Sequence, residues 1–312
     1  MGRITVLCGG VGAARFLAGL VRVVDPGEVT AIVNVGDDAE FHGLHVSPDI
    51  DTVLYTLAGI VNEQQGWGIA GDSWRVQDSL VRLGRDAWFR LGDVDLATHI
   101  QRTALLREGL SLSAVTARLA NALGVQIRIL PASDERQSTL VRADQGWLEF
   151  QEYFVHRGQR DTVREVRFDG SRTPAPGVIE AITDASVILI APSNPIVSIG
   201  PILALDGVRD ALVASTATVV AVSPIIGGEA VKGPAAAMLA SLGHEVSAVG
   251  VARMYADFVD VMVIDERDAE LAPEVDASGP HAVVAPTLMT DAAARERLAR
   301  VALEAATSDV RV

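Results

Sequence analysis

Arg3-Ile4-Thr5-Val6-Leu7-Cys8-Gly9-Gly10-Val11-Gly12 runs along the start of the chain, and Val29-Thr30-Ala31-Ile32-Val33 follows it after one helix-length segment, Ala13–Val24. Two short apolar runs thus flank a helical segment, with a glycine turn and a short second connection between them. That is a βαβ pattern, and a crossover of this kind joins parallel strands. The alternation returns downstream, where Val125–Leu130, Val187–Ala191, Val219–Val222 and Val261–Ile264 read as buried strands. The expected fold class is α/β: a Rossmann-like, mostly parallel sheet flanked by helices.

Two stretches depart from the alternation. A helical insertion is expected over about 50–124, where Asp72–Leu83, Asp95–Arg107 and Leu112–Leu123 carry apolar residues three and four apart, with Asp95 and Ser111 as caps. From Gln137 to Phe168 the composition turns β-branched and aromatic. Thr139-Leu140-Val141 and Trp147–Val155 there flank the turn signal Asp144-Gln145-Gly146, so an antiparallel excursion is expected at about 137–168. The last helix is expected from Asp291 to Ala306. No repeat or linker interrupts the pattern, and a single domain over 1–312 is the expected organisation.

The 312 residues are 49% apolar and 21% charged, the balance of a globular protein, with no apolar run long enough for a bilayer. Met1 to Leu7 is too short for a signal sequence, so a cytoplasmic location without membrane contact is expected. With 26 basic against 40 acidic residues the net charge is −14, which argues against general nucleic-acid binding. A single nucleotide needs only local N–H groups and an arginine or two. Lys232 is the only lysine, and the lone Cys8 reads as a buried structural thiol.

Chemistry concentrates in two acidic loops. Asn34-Val35-Gly36-Asp37-Asp38 follows the second strand, and Ser47-Pro48-Asp49-Ile50-Asp51-Thr52 opens a helix with the apolar face Ile50, Val53, Leu54, Leu57 and Val61. Asp49 and Asp51 alone would serve as helix-start carboxylates. Four aspartates at strand ends suit magnesium and phosphate chemistry at the ligand edge of an open α/β sheet. Asp37, Asp49 and Asp51 are the candidate Mg2+ ligands, and Asp49 and Asp51 the candidate catalytic residues.

Gly9, Gly10 and Gly12, with Arg15 in the next turn, have the form of a phosphate cradle. They are not the dinucleotide fingerprint, because Arg15 stands where its third glycine belongs. Ser193, Asn194 and Ser198 lie in a proline-bracketed loop after a buried strand, where Ser193 and Asn194 present a hydroxyl and an amide to the same edge of the sheet; a rigid loop with an N-cap is compatible with that. Ser223-Pro224-Ile225-Ile226-Gly227-Gly228 repeats the arrangement one strand on. Asp95, Thr98 and His99 share a helix face near Arg90, and Arg90 and His99 are candidates for contacting an acceptor. Trp67, Trp74 and Trp88 cluster among glycines, where core packing is the default.

Several of these segments together resemble the 2-phospho-L-lactate transferase family of coenzyme F420 biosynthesis: Gly9–Gly12, Asn34–Asp38, Ser47–Tyr55, Leu91–His99, Leu130–Asp134, Pro192–Pro195, Ser223–Gly227, Asp265–Asp268 and Thr287–Thr290. They are collinear over nearly the whole chain. The resemblance implies a transferase that moves a phospho-linked small acid from a guanosine diphosphate carrier to the ribityl hydroxyl of the deazaflavin Fo, releasing GMP. It also implies that Asp51 and Arg90 contact the acceptor and that Gly9, Gly10, Gly12, Arg15, Ser193, Asn194 and Ser198 are the donor candidates. Val11, Ala13, Ala14 and Arg15 resemble the bacterial branch, associated with an enolpyruvyl donor; the acid, phosphoenolpyruvyl or 2-phospho-L-lactyl, stays open. A homodimer is the expected assembly. The rival readings are a non-enzymatic, nucleotide-sugar-binding regulator of the same superfamily and, more distantly, a nicotinamide-dependent oxidoreductase.

Overall fold

The computed structural model describes residues 2–307, so residues 1 and 308–312 of the expected domain lie outside the described residues. Strand β1 (Ile4–Cys8) is buried at all five positions, as a strand covered on both faces must be. It leads through helix α1 (Gly10–Leu20) into β2 (Val29–Val33), the expected unit. A hairpin follows, β3 (Ala39–Phe41) and β4 (Leu44–Val46), which the sequence reading missed. Next come α2 (Pro48–Leu57), α3 (Arg75–Arg82), α4 (Asp95–Arg107) and α5 (Leu112–Ala122).

After β5 (Arg128–Pro131) the antiparallel excursion is a three-stranded sheet of β6 (Gln137–Ala143), β7 (Gly146–Glu149) and β8 (Glu165–Gly170), ordered β7-β6-β8. Parallel alternation then resumes with β9 (Val187–Ile190) and β10 (Thr218–Val222). A short hairpin, β11 (Ile225–Ile226) and β12 (Glu229–Ala230), precedes β13 (Val261–Asp265) and β14 (His281–Ala285). The helix Ala292–Thr307 ends the described chain.

The main sheet has seven strands in the order β14-β13-β10-β9-β1-β2-β5, and every pairing in it is parallel. Val6 pairs with Ala31 on one side and Leu189 on the other. The chain winds outward from β1 through β2 to β5, then returns to β1's other flank to wind through β9, β10, β13 and β14. The order therefore reverses between β1 and β9, and the crevice beyond the carboxyl ends of these strands is where such sheets bind ligands.

Helix α1 covers this switch point. It buries Ala13, Ala14, Phe16, Leu17 and Leu20 and packs on α2 and on the C-terminal helix. Burying the larger three stabilises the fold by about 1.5–3 kcal/mol each. The helices cross closely at Gly19, where a Cβ would lie 2.3 Å from the Arg295 carbonyl oxygen.

Several expected boundaries move. Helix α1 begins at Gly10, so the glycine turn is its first turn, with Gly9 as the cap residue. Val61 leaves the face of α2 and bridges Ile69. Asp95 does not cap α4; Asp72 does, accepting from Val94 N at 2.9 Å and Asp95 N at 3.0 Å. Ser111 does cap α5, accepting from Ala114 N at 3.3 Å. Trp147–Val155 is strand only as far as Glu149, because the chain then coils into a π-helical turn, Glu152–His156, that buries Tyr153. Strand β14 escaped the reading because its edge position leaves His281 and Val284 exposed. Among the described residues, no helix is long and apolar enough to cross a membrane.

Candidate active site

Asn34, the first residue beyond β2, organises the crevice. Its side-chain amide donates to Asp49 Oδ2 at 2.9 Å, Asp37 Oδ1 at 3.2 Å and the Val197 carbonyl at 3.3 Å, while its Oδ1 accepts from Gly36 N at 2.8 Å. One buried amide thus joins both acidic loops to the loop after β9. The other Asp49 oxygen, Oδ1, accepts from Gly10 N at 2.7 Å, which fixes that carboxylate against the first turn of α1. Gln151, just beyond β7 at the start of the Glu152–His156 turn, donates to Asp37 Oδ2 at 3.2 Å.

Asp37, Asp38 and Asp49 are all buried. Burial raises Asp37 well above the usual carboxylate range, and the neighbouring charges of Asp49 and Asp38 add to the shift. Burial pushes Asp49 up to about 6, against the lowering effect of the Asn34 and Gly10 hydrogen bonds. Asp38 is also raised by burial, although His45 Nε2 at 3.0 Å and the Ser47 hydroxyl at 2.6 Å bind its Oδ2. Its Oδ1 is buried without a hydrogen-bond partner. No protein cation pairs with Asp37 or Asp49 among the described residues, so both hold a proton more readily than an ordinary carboxylate.

Asp51 lies differently from its expected place. The sequence leaves its carboxylate free at the ligand edge, but both oxygens are engaged by the fully buried Arg102: Nη1 donates to Oδ2 at 3.0 Å and Nη2 to Oδ1. His99 Nδ1 sits 3.2 Å from Arg102 Nη1 and 3.6 Å from Asp51 Oδ2, and His99 Nε2 lies 3.2 Å from Asp95 Oδ1. The Tyr55 hydroxyl donates to Asp95 Oδ1 at 2.6 Å. Burial would raise Asp95, but His99 and Tyr55 hold it below the usual range. His99 is 1% exposed, so it meets Asp51 from within and presents no surface to an acceptor.

The donor candidates divide. Gly9 and Gly12 are required by packing: a Cβ on Gly9 would lie 2.6 Å from Asp49 Oδ2, and one on Gly12 2.4 Å from the Pro192 carbonyl. Gly10 adopts φ +76°, open to glycine at no steric cost. Ser193 Oγ donates to Gly9 O at 2.9 Å and accepts from Gly9 N at 3.3 Å, lacing β9 to the glycine turn. Asn194 Oδ1 accepts from Ile196 N at 2.9 Å, the capped-loop arrangement. Ser198 lies buried against Gly9. Arg15 is half-buried, with Nη2 3.4 Å from the Glu63 carbonyl. In the parallel loop after β10, Ser223 Oγ donates to Ile225 O at 2.9 Å, and Gly227 N is held by both oxygens of Asp268 at 3.0 Å.

Arg90 is exposed and stacks its guanidinium over Trp74, 4.2 Å from the ring centroid. Trp74, Trp67, Asp72 and Asp95 line a small cleft of about 120 Å³ beside it. Trp88 stands apart, stacked on His156.

No three carboxylate, histidine or cysteine side chains among the described residues converge as a ready-made metal site. Magnesium does not need one, because it keeps several waters and binds through one or two carboxylates plus substrate phosphates. Asp37 and Asp49, buried, mutually repelling and uncompensated by a cation, fit that role, and the unpartnered Asp38 oxygen adds to the local charge. Asp51 does not fit, since the buried Arg102 guanidinium already compensates its charge, whereas the partners of Asp37 and Asp49 are neutral amides.

Sequence reasoning missed Asn34, Arg102, Gln151, Tyr55 and His45 as site residues. Arg102 had a signal: with Asp95 and His99 it makes a polar stripe at helical spacing on the inner face of α4.

Residues 4–304 match the family described as 2-phospho-L-lactate transferase CofD. The chain is 43% identical over 300 residues to a 2-phospho-L-lactate transferase of Methanothermobacter thermautotrophicus, covering 96% of this chain and 97% of that protein. It is 45% identical over 310 residues to a phosphoenolpyruvate transferase of Kitasatospora aureofaciens, again over 96% and 97% of the two chains. A solved member of the upf0052 family from Bacillus halodurans shares the fold, with a TM-score of 0.67 at 16% identity over 97% of this chain and 99% of that one.

Proposed function

The chain belongs to the 2-phospho-L-lactate transferase family, and from that premise we propose that it transfers a phospho-linked small acid, phosphoenolpyruvyl or 2-phospho-L-lactyl, from guanosine diphosphate to Fo in coenzyme F420 biosynthesis. The terminal ribityl hydroxyl of Fo attacks the phosphorus that carries the acid. The anhydride P–O bond breaks, GMP leaves, and the hydroxyl proton passes to a carboxylate. The observation that carries this reading is the pairing of Asp37 and Asp49 on Asn34 at the switch point, beside the first turn of α1.

Asp49 is the proton acceptor in this proposal, because burial keeps its affinity for a proton near that of a neutral-pH base. Asp37 would hold Mg2+ together with the donor phosphates, leaving Asp49 beside it to accept the proton; the ion would supply neutralisation of phosphate oxygens. Asp51, fixed by Arg102 and His99, acts through the shape and charge of the pocket floor. Gly9–Gly12 and Arg15 face the donor, with Ser193, Asn194 and Ser198 holding the loop that backs it. Arg90 and the cleft at Trp67 and Trp74 face the acceptor.

The test is to incubate the protein with Fo, Mg2+ and each candidate guanosine diphosphate donor and to detect product by mass. Product from one donor identifies the acid. Absence of product from all donors, with binding of a nucleotide sugar, would instead support the regulator. The proposal includes a homodimer in the cytoplasm, the former open to sedimentation analysis.

A further inference from the structure

Lys232, the only lysine in the chain, lies in the turn between β12 and the helix Ala235–Ser241. Its ammonium donates to the Gln65 carbonyl, far away in sequence. A Cβ on Gly66 would lie 2.7 Å from Val11 Cγ1 and 3.0 Å from Lys232 Nζ. The ammonium, the 63–66 loop and the first turn of α1 therefore meet at one point. Arg15 reaches the same loop from α1, through the Glu63 carbonyl.

These cations repel one another: partial burial and then the charge of Arg15 hold the Lys232 ammonium below its ordinary value. The Glu63 carboxylate, which acts on Arg15 through space, is bonded instead to Arg295 at 2.7 and 3.2 Å. Among the described residues, neither Lys232 nor Arg15 forms a salt bridge with a carboxylate. In a chain with 40 acidic residues, two converging cations that form no ion pair, with the nearby Glu63 carboxylate taken by Arg295, suit an anion from outside. A point-charge ammonium and a forked guanidinium that reach the same loop suit a group with several phosphate oxygens.

We propose that Lys232 and Arg15 form a two-cation clamp for the diphosphate of a nucleoside diphosphate donor, with the 63–66 loop as its wall. The inference rests on the nucleotide-donor reading above and adds to it a residue on a loop remote from the glycine turn. Lys232 binds the donor and holds the wall in place with the same ammonium.

Calorimetric titration of GDP, GMP and Fo into wild type, Lys232→Met and Lys232→Arg tests it, with melting temperatures recorded for each. Lys232→Met should lose about ten- to a hundredfold in GDP affinity, less for GMP and none for Fo, and Lys232→Arg should recover most of the loss. GDP affinity within twofold of wild type in Lys232→Met overturns the clamp. So does a uniform fall for GDP, GMP and Fo with a lowered melting temperature, which makes Lys232 a strap only. Wild type that binds no GDP overturns the nucleotide-donor reading itself.

Discussion

Arg102 is fully buried, and the Asp51 carboxylate is what compensates its charge there. Removing one partner of such a pair leaves an uncompensated charge in the interior, at a cost of about 3–5 kcal/mol. Asp51→Asn should therefore lower stability in urea denaturation by that amount, whatever it does to turnover. Asp51→Leu combined with Arg102→Met should recover much of the loss, because no charge is then stranded. A single Asp51→Asn variant within 1 kcal/mol of wild type would show that Arg102 finds its compensation elsewhere. Asp49 gives a prediction of the opposite kind. Its folded value of about 6 lies above the usual 3.8, so the folded state binds the proton more tightly. Stability of the metal-free protein should then fall as pH rises from about 4 to 6, by on the order of 3 kcal/mol at most. Asp37 is raised too and adds in the same direction. Asp95 is held low, so its contribution is present above 3.8 and is lost only in more acid solution. Melting temperatures at pH 5 and 7.5 should favour pH 5, and Asp49→Asn should flatten the slope. A wild-type profile that rises across this window would contradict the assignment.

At the scale of elements, the close approach of α1 to the loop after β9 is what builds the crevice. Gly12→Ala would place a Cβ 2.4 Å from the Pro192 carbonyl, which is backbone and has little room to yield. Overpacking of this kind costs about 1–3 kcal/mol. The helix should also move off the Ser193–Gly9 hydrogen bonds, so GDP affinity should fall together with the melting temperature. Both unchanged would mean that the loop gives way freely. Much of this architecture was legible in the sequence because it is local. Strand β2 and helix α4 have the expected limits, since buried parallel strands and amphipathic helices write their periods into adjacent residues. The site was legible only in part. Asp37, Asp49 and the glycines announce themselves by type and position at strand ends. Their partners do not: Arg102 meets Asp51 across 51 positions, and Gln151 meets Asp37 across 114. No spacing rule reaches that far. Asn194 shows the converse, because a residue suited to a ligand serves as a cap. Residue type alone does not separate the two uses.

The whole molecule carries a net charge of −14, yet its proposed donor is an anion. Two length scales decide how the nucleotide approaches. At about 0.01 M salt the Debye length is about 30 Å, so an incoming diphosphate feels the summed negative field of the protein. At about 0.15 M it shrinks to about 8 Å, and only charges at the mouth of the crevice still act. There Arg15 and Lys232 face the 63–66 loop, while most of the 40 acidic residues lie elsewhere in the chain. Raising salt should therefore remove long-range repulsion before it weakens short-range attraction. The association rate of GDP, followed by stopped-flow, should rise between about 0.01 and 0.15 M salt and then level or fall as the local contacts are screened. A basic nucleotide-binding protein would show a steady decline. Replacing Arg15 with alanine should weaken equilibrium binding of GDP by about ten- to a hundredfold, the loss of one charge-assisted contact of roughly 1.5–3 kcal/mol. It should leave the rising arm of the salt profile in place, because that arm belongs to the global field. A wild-type rate that declines from the lowest salt upward would show that the mouth dominates at every distance, and that the net charge has no part in donor capture.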